Sequence, residues 1–322
     1  MPIPTDYLPA SAEELSALPP ELQEYYRIWQ EAKEAIPQEA PDLETPPAPS
    51  PLPPSPRQLR ITPELFHKSQ LRLLKCIAVL HRDKQERPRQ LEELLCCHAV
   101  QEQLCRIYHA ADQMQRGGSS GAIKELLDAQ RLLSRYASAE GTRAFADSGE
   151  ARHLSDALAP WIVLWHEVHP LLALGGEWSV TGGDVVNWHY FPADEVPKAC
   201  FSSPADSTPD VSAMTAVSSG SSAVCLHRLF ERPALAPGQQ LHLITPRLPK
   251  GTRLAVNGLL LALDDTPEDG QDTLRCQRIL LNDVIDTSII MQRISVQMPS
   301  NAVGTPILPL CLGVSTPKVA EQ

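Results

Sequence analysis

The chain has 322 residues, 43% of them hydrophobic and 21% charged, with 31 prolines and a formal net charge of -11 at pH 7. That composition excludes a wholly disordered polymer and fits about two folded domains with a proline-rich appendage. The acidic balance argues against a nucleic-acid partner, which calls for a basic face over a whole domain.

Charge divides the chain into three parts: residues 1–57 carry net -7, residues 58–173 net +1 and residues 174–322 net -5. The opening segment MPIPTDYLPASAEELSALPPELQEYY has neither the basic stretch nor the apolar core of a secretory signal, so a cytoplasmic location is expected. The longest apolar runs, LLLAL at 259–263 and ILPLCLGV at 307–314, fall far short of the roughly 18 residues that span a bilayer. Within this acidic part SALPPELQEYYRIWQEAKEAI predicts one amphipathic helix, with Leu22, Tyr25, Tyr26, Trp29 and Ala32 at helical spacing. Tyr25, Tyr26 and Trp29 make that helix a candidate partner-docking element, or one that folds back over an apolar patch. From Pro37 to Arg57 the prolines remove backbone donors and fix φ, which predicts an extended linker.

The second part, residues 58–173, is expected to be an α-helical bundle. Thr62 as N-cap, Pro63 at the first helical position and Glu64 in the first turn announce a helix, and Phe66, Leu73, Leu74, Ile77 and Leu80 give it an apolar stripe. A second helix is expected from Pro88, with Leu91, Leu94, Leu95, Leu104, Ile107, Tyr108, Ala111 and Met114 in its stripe. RGGSSG at 116–121 stops it. A third helix carries Ile123, Leu126, Leu127, Leu133 and Tyr136, and a fourth runs from about Ser155 through Leu158, Trp161, Ile162, Trp165 and Val168 to Leu172. Four such helices with short connections bury their stripes against one another.

After Leu174 the period changes, and short segments between Gly, Pro, Asp and Ser predict strands at 177–181, 185–191, 224–231, 240–245, 252–257, 259–263, 274–281, 289–298 and 307–314. Asn257-Gly258 between two apolar strands predicts a hairpin turn with positive φ at both positions. The long polar stretch at 202–222 is expected as a surface crossover loop. This grammar predicts an antiparallel β-sandwich of jelly-roll kind over 174–316, with 317–322 as a tail. The fold class is therefore multidomain α + β, a helical bundle followed by a β-sandwich.

LGGEWSV at 174–180, HRLFERP at 227–233, GQQLHLITPRLPKGTRLAVNGLLLA at 238–262 and ILLNDVID at 279–286 together resemble the sugar-binding domain of family-2-type glycoside hydrolases. That domain is a galactose-binding-like jelly roll. The resemblance implies a fold and a capacity to hold a carbohydrate or a partner protein. It does not imply glycosidase activity, because the catalytic glutamates of that family lie on a later (β/α)8 barrel of about 250 residues.

Each candidate site also has a plainer reading. Trp178, Asn187, Trp188, His189 and Asn257 offer the rings and amides that contact sugars, although alternation places Val186, Trp188 and Tyr190 on one face of a strand, a composition usual for core. His166 and His169 stand three apart in WHEVH, where the zinc-protease helix needs four. Of Cys97, His98, Cys105 and His109, positions 98, 105 and 109 lie on one helix face, but one helix cannot wrap a tetrahedral ion without a second segment, so packed thiols are the plainer reading and no metal is expected. DDTPEDGQD at 264–272 has Pro267 where a calcium loop needs an oxygen ligand. The eight cysteines are scattered and are expected as free thiols. No GxSxG, Walker-type or GxGxxG motif occurs, so neither a catalytic residue nor a cofactor is expected. The sequence reads as a non-enzymatic interaction or scaffold protein whose sandwich binds a macromolecular partner, with a carbohydrate-binding protein as the alternative and no membrane or nucleic-acid partner.

Overall fold

The computed structural model describes residues 15–16, 18–35, 60–83, 89–138, 149–180, 185–187, 223–246, 248, 251–263, 276–299 and 308–316. Among them are five helices, α1 (Pro20–Ala35), α2 (Pro63–Arg82), α3 (Arg89–Gln115), α4 (Ser120–Ser138) and α5 (Gly149–Leu164). Ten strands follow: β1 (His169–Ala173), β2 (Glu177–Val180), β3 (Val185–Asn187), β4 (Ala223–Glu231), β5 (Gln240–Pro246), β6 (Arg253–Val256), β7 (Leu259–Leu260), β8 (Cys276–Leu280), β9 (Met291–Pro299) and β10 (Cys311–Ser315). The fold is thus mixed α and β, with every strand pair antiparallel. No helix among the described residues is long and apolar enough to cross a membrane. The expected linker at 37–57, the loop at 202–222 and the acidic turn at 264–272 lie outside the described residues.

The chain forms two compact units, Met1–Ala110 with Glu125–Asp156, and Ala111–Lys124 with Ala157–Gln322. Their limits fall within α3, α4 and α5. In the first unit α2 begins as its sequence dictates, with Thr62 extended at the N-cap and Pro63 in the first turn. Its inward stripe of Phe66, Leu73, Cys76 and Leu80 shares a core with Tyr25 and Trp29 of α1 and Leu91, Leu94 and Cys105 of α3.

In the second unit a four-stranded sheet has the order β1-β10-β5-β8 and a six-stranded sheet the order β3-β2-β4-β9-β6-β7. Leu241, Leu243 and Leu312 of the first sheet and Trp178, Leu226, Phe230, Leu254, Ile294 and Val296 of the second belong to one buried cluster. Alternation along each strand directs these side chains inward together. The β6–β7 turn has Asn257 at φ 50° and Gly258 at φ 83°, the conformation that an Asn-Gly pair tolerates best.

The fourth helix departs from expectation. It ends at Leu164, and residues 169–173 form β1, paired with β10. Pro170 accounts for this: it lacks a donor and drives His169 out of the α region, so an apparently helical apolar run is extended. On the far side of β10, a Cβ added to Gly313 would stand 2.4 Å from Val168 Cγ1 and 2.6 Å from Trp165 Cζ3. The absent side chain lets those two residues seat on the strand.

Candidate functional site

The residues proposed as sugar contacts are dispersed by the fold. Trp178 is fully buried in the core between the sheets, and its indole N–H donates to the Leu174 carbonyl at 2.9 Å. It therefore offers no ring face to a ligand, and its part in the LGGEW motif is packing. The glycines of that motif have their own role: a Cβ on Gly175 would lie 2.0 Å from the Met114 carbonyl oxygen, and Gly176, at φ 81°, donates its N–H to Gln115. Asn257 is likewise structural. Its Nδ2 donates to the Val284 carbonyl (3.2 Å) and to Gln292 Oε1 (2.6 Å), and its Oδ1 accepts from the Arg293 N–H (3.0 Å). Asn187 stands opposite Glu177 in the β2–β3 register, with its side chain outside the described residues, as are Trp188 and His189 altogether.

The aromatic residues of α1 face inward. Tyr25 and Trp29 are fully buried, and Trp29 meets Phe66 edge-on at 4.8 Å between ring centroids. The Tyr25 hydroxyl and His98 Nδ1 share a hydrogen bond at 3.3 Å, while Glu24 pairs with Arg72 at 2.6 Å. Burial raises the Tyr25 phenol well above its ordinary range, raises that of Tyr26, and pushes the His98 imidazole down to about 4. Two of the three rings expected to dock a partner are thus consumed by the chain's own core, and α1 is a helix folded back on α2. An aromatic stripe at helical spacing has this outcome whenever an apolar groove is supplied in the same chain.

Nor do the cysteines and histidines of α3 converge. His98 turns to Tyr25, whereas Cys105 Sγ–H and His109 Nε2 both donate to the Ile61 carbonyl, at 3.2 and 2.7 Å. Burial pushes the Cys105 thiol up to about 12, a protonated packing group at neutral pH. Among the described residues no group of three or more His, Cys, Asp or Glu side chains is placed to hold a metal ion. His166 lies in the turn after α5 and His169 begins β1, both exposed, so they do not share a helix face.

A different surface emerges on the outward face of the six-stranded sheet. Strand register places Leu229 opposite Arg293 and Glu231 opposite Met291, all pointing away from the core because Phe230 and Gln292 point into it. Leu229 is 59% exposed and Met291 48%; Ile290, the residue before β9, is 65% exposed. In the neighbouring row the Ser295 hydroxyl donates to His227 Nδ1 (2.8 Å), which also accepts from Arg293 Nη2 (3.2 Å). Burial and the adjacent Arg293 charge push His227 down to about 4, leaving it neutral.

Gln292 braces the corner that carries the exposed isoleucine. Fully buried, it donates from Nε2 to the carbonyls of Asp286 and Ile289 (both 2.9 Å), and Oε1 accepts from Asn257 Nδ2 and the Asp286 N–H (2.6 and 3.0 Å). The Arg232 N–H donates to the Ile290 carbonyl at 2.8 Å, and its guanidinium donates to that of Thr287. Asp286 accepts from the Ser288 N–H and hydroxyl, bonds that hold its carboxyl below the usual range. Aliphatic side chains that would collapse onto a flexible loop are therefore held out by a fixed backbone. Sequence reading missed this corner because a glutamine at an inward strand position looks like a solvated residue until its four partners are known.

No protein-family model matches the sequence, and no curated protein matches it. Among solved structures, 45% of the chain is similar to a β-glycosidase from Bacteroides vulgatus (14% identity, TM-score 0.29, 20% of that chain). A further 43% match is to a glycosyl hydrolase family 2 member from Bacteroides cellulosilyticus DSM 14838 (12% identity, TM-score 0.27, 20% of that chain). A Faecalibacterium prausnitzii β-glucuronidase is similar over 45% of this chain (16% identity, TM-score 0.26, 31% of that chain). The likeness spans less than a third of each neighbour's length.

Proposed function

We propose that this chain is a non-enzymatic interaction module, a helical bundle followed by a jelly-roll-like β-sandwich, whose six-stranded sheet binds a partner protein through Leu229, Ile290 and Met291. The observation that carries this reading is the aliphatic corner itself. An outward sheet face ordinarily alternates to polar residues, so large aliphatic side chains standing exposed there and at the strand's entry fit an interaction surface. Its backbone is fixed beforehand by Gln292 and Arg232, which lowers the ordering cost of binding. The large apolar side chains that stand most exposed among the described residues are Leu, Ile, Val and Met, whereas sugars are held by exposed aromatic rings; protein recognition is favoured over carbohydrate for that reason. No disulfide joins two of the seven described cysteines, as in a reducing compartment such as the cytoplasm.

The test is affinity capture with the full chain and its Ile290→Asp and Leu229→Asp variants. One partner retained by the parent and lost by both variants, whose melting temperatures match the parent, supports the reading. A partner set identical for all three chains would reject it. A saturable rise in melting temperature with one sugar from a panel would assign the module to carbohydrate instead.

A further inference from the structure

Beside its core stripe, α2 carries a second line of residues that stand exposed. Leu71 and Leu74 are 46% and 51% exposed, and with His67 and Ala78, also exposed, they recur at alternating spacings of four, three and four residues. At about 100° per residue Leu71 lies about 160° and Leu74 about 100° around the helix from Leu73, both turned away from Arg72, which pairs with α1. The spacing is that of a seam which packs against another helix. Lys68 and Lys75, seven residues apart, flank it and are exposed; one residue per heptad on the same side is the position that selects a partner helix by charge.

The charges on α2 say which helix fits. Its single acidic residue is Glu64 in the first turn, ahead of Leu71 and Leu74, against Lys68, Arg72, Lys75 and Arg82. Another face already holds an acidic amphipathic helix: α1, with Glu21, Glu24, Glu31 and Glu34, has Glu24 paired to Arg72 at 2.6 Å. We infer that the Leu71–Leu74 seam docks an acidic amphipathic helix of a partner protein, its aliphatic stripe on the two leucines and its carboxylates on Lys68 and Lys75. This surface is separate from the sheet corner and does not depend on it.

The test uses the full chain and two fluorescein-labelled 21-residue helical peptides, each with leucines at the seam positions and either glutamates or lysines flanking them. The glutamate peptide should bind saturably by fluorescence anisotropy, at least tenfold more weakly to the Leu74→Glu variant, and more weakly as salt screens the pairing. The Lys68→Glu/Lys75→Glu variant should reverse the preference and select the lysine peptide. All of these positions are exposed, so circular dichroism should show unchanged melting. Absence of saturable binding, or equal affinity for both peptides, overturns the inference. So does glutamate-peptide binding that ignores Leu74→Glu and strengthens when Trp29→Ala loosens α1, since the peptide then occupies the seat of α1. A parent dimer in sedimentation velocity that Leu74→Glu converts to monomer assigns the seam to a second copy and also overturns it.

Discussion

Replacing Gln292 with leucine, which nearly preserves volume, isolates the polar brace beneath the exposed corner. The change leaves the Asp286 N–H and carbonyl and the Ile289 carbonyl without their protein partner, and takes one of two acceptors from Asn257 Nδ2. Each hydrogen bond contributes about 1 kcal/mol net, and a buried group left unpaired costs about 1–3 kcal/mol. Three of the four released groups belong to a partly exposed loop that water can reach, and Asn257 keeps Val284, so a loss of about 2–4 kcal/mol is expected. Urea denaturation followed by circular dichroism measures that loss. Hydrogen exchange at the Asp286 amide reports the brace itself and should accelerate before global unfolding. A variant within about 0.5 kcal/mol of the parent, the range of an ordinary surface change, with Asp286 still protected, would refute the reasoning: the corner would owe its shape to something other than Gln292.

Other outcomes follow from the same structure. Trp29→Ala removes a fully buried ring at a cost of about 3–5 kcal/mol, concentrated on the seating of α1, so limited proteolysis should cut within residues 20–35 faster in the variant than in the parent. Gly313→Ala forces a methyl against Val168 and Trp165 and should lower the urea midpoint by the equivalent of about 1–3 kcal/mol. His98 has a pKa of about 4 in the fold against an ordinary 6.5. Its contribution is complete above pH 6.5 and is lost as pH falls from 6.5 towards 4, by up to roughly 3 kcal/mol. The stability gap between the parent and His98→Leu should shrink over that window, and a gap that is flat with pH contradicts the burial of a neutral imidazole.

Much of the architecture was legible in the sequence because local chemistry and burial agree there. Thr62-Pro63 starts a helix and Asn257-Gly258 makes a turn for reasons that do not depend on distant residues. The expected strands from 177 onward all have counterparts, since their alternation records which face is buried. Reading failed where a long-range neighbour decides. The apolar run through Leu172 looked helical until Pro170 and the pairing with β10 made it a strand. Tyr25 and Trp29 looked available because nothing local shows that Phe66 and His98 supply their groove. Trp178 and Asn257 looked like ligand contacts because tryptophan and asparagine serve cores and turns as well as sites. The Gln292 brace joins residues up to 35 positions apart, a separation at which no periodicity in the chain gives warning.

The aliphatic corner of the six-stranded sheet is the surface proposed to meet another protein. Photo-crosslinking in cells tests it most directly, with a benzophenone amino acid placed singly at Leu229, at Ile290 and, on the other sheet, at exposed Leu280. One dominant adduct of the same mass is expected from positions 229 and 290 and none from 280. Adducts of equal yield from all three positions, or from 280 alone, would contradict it.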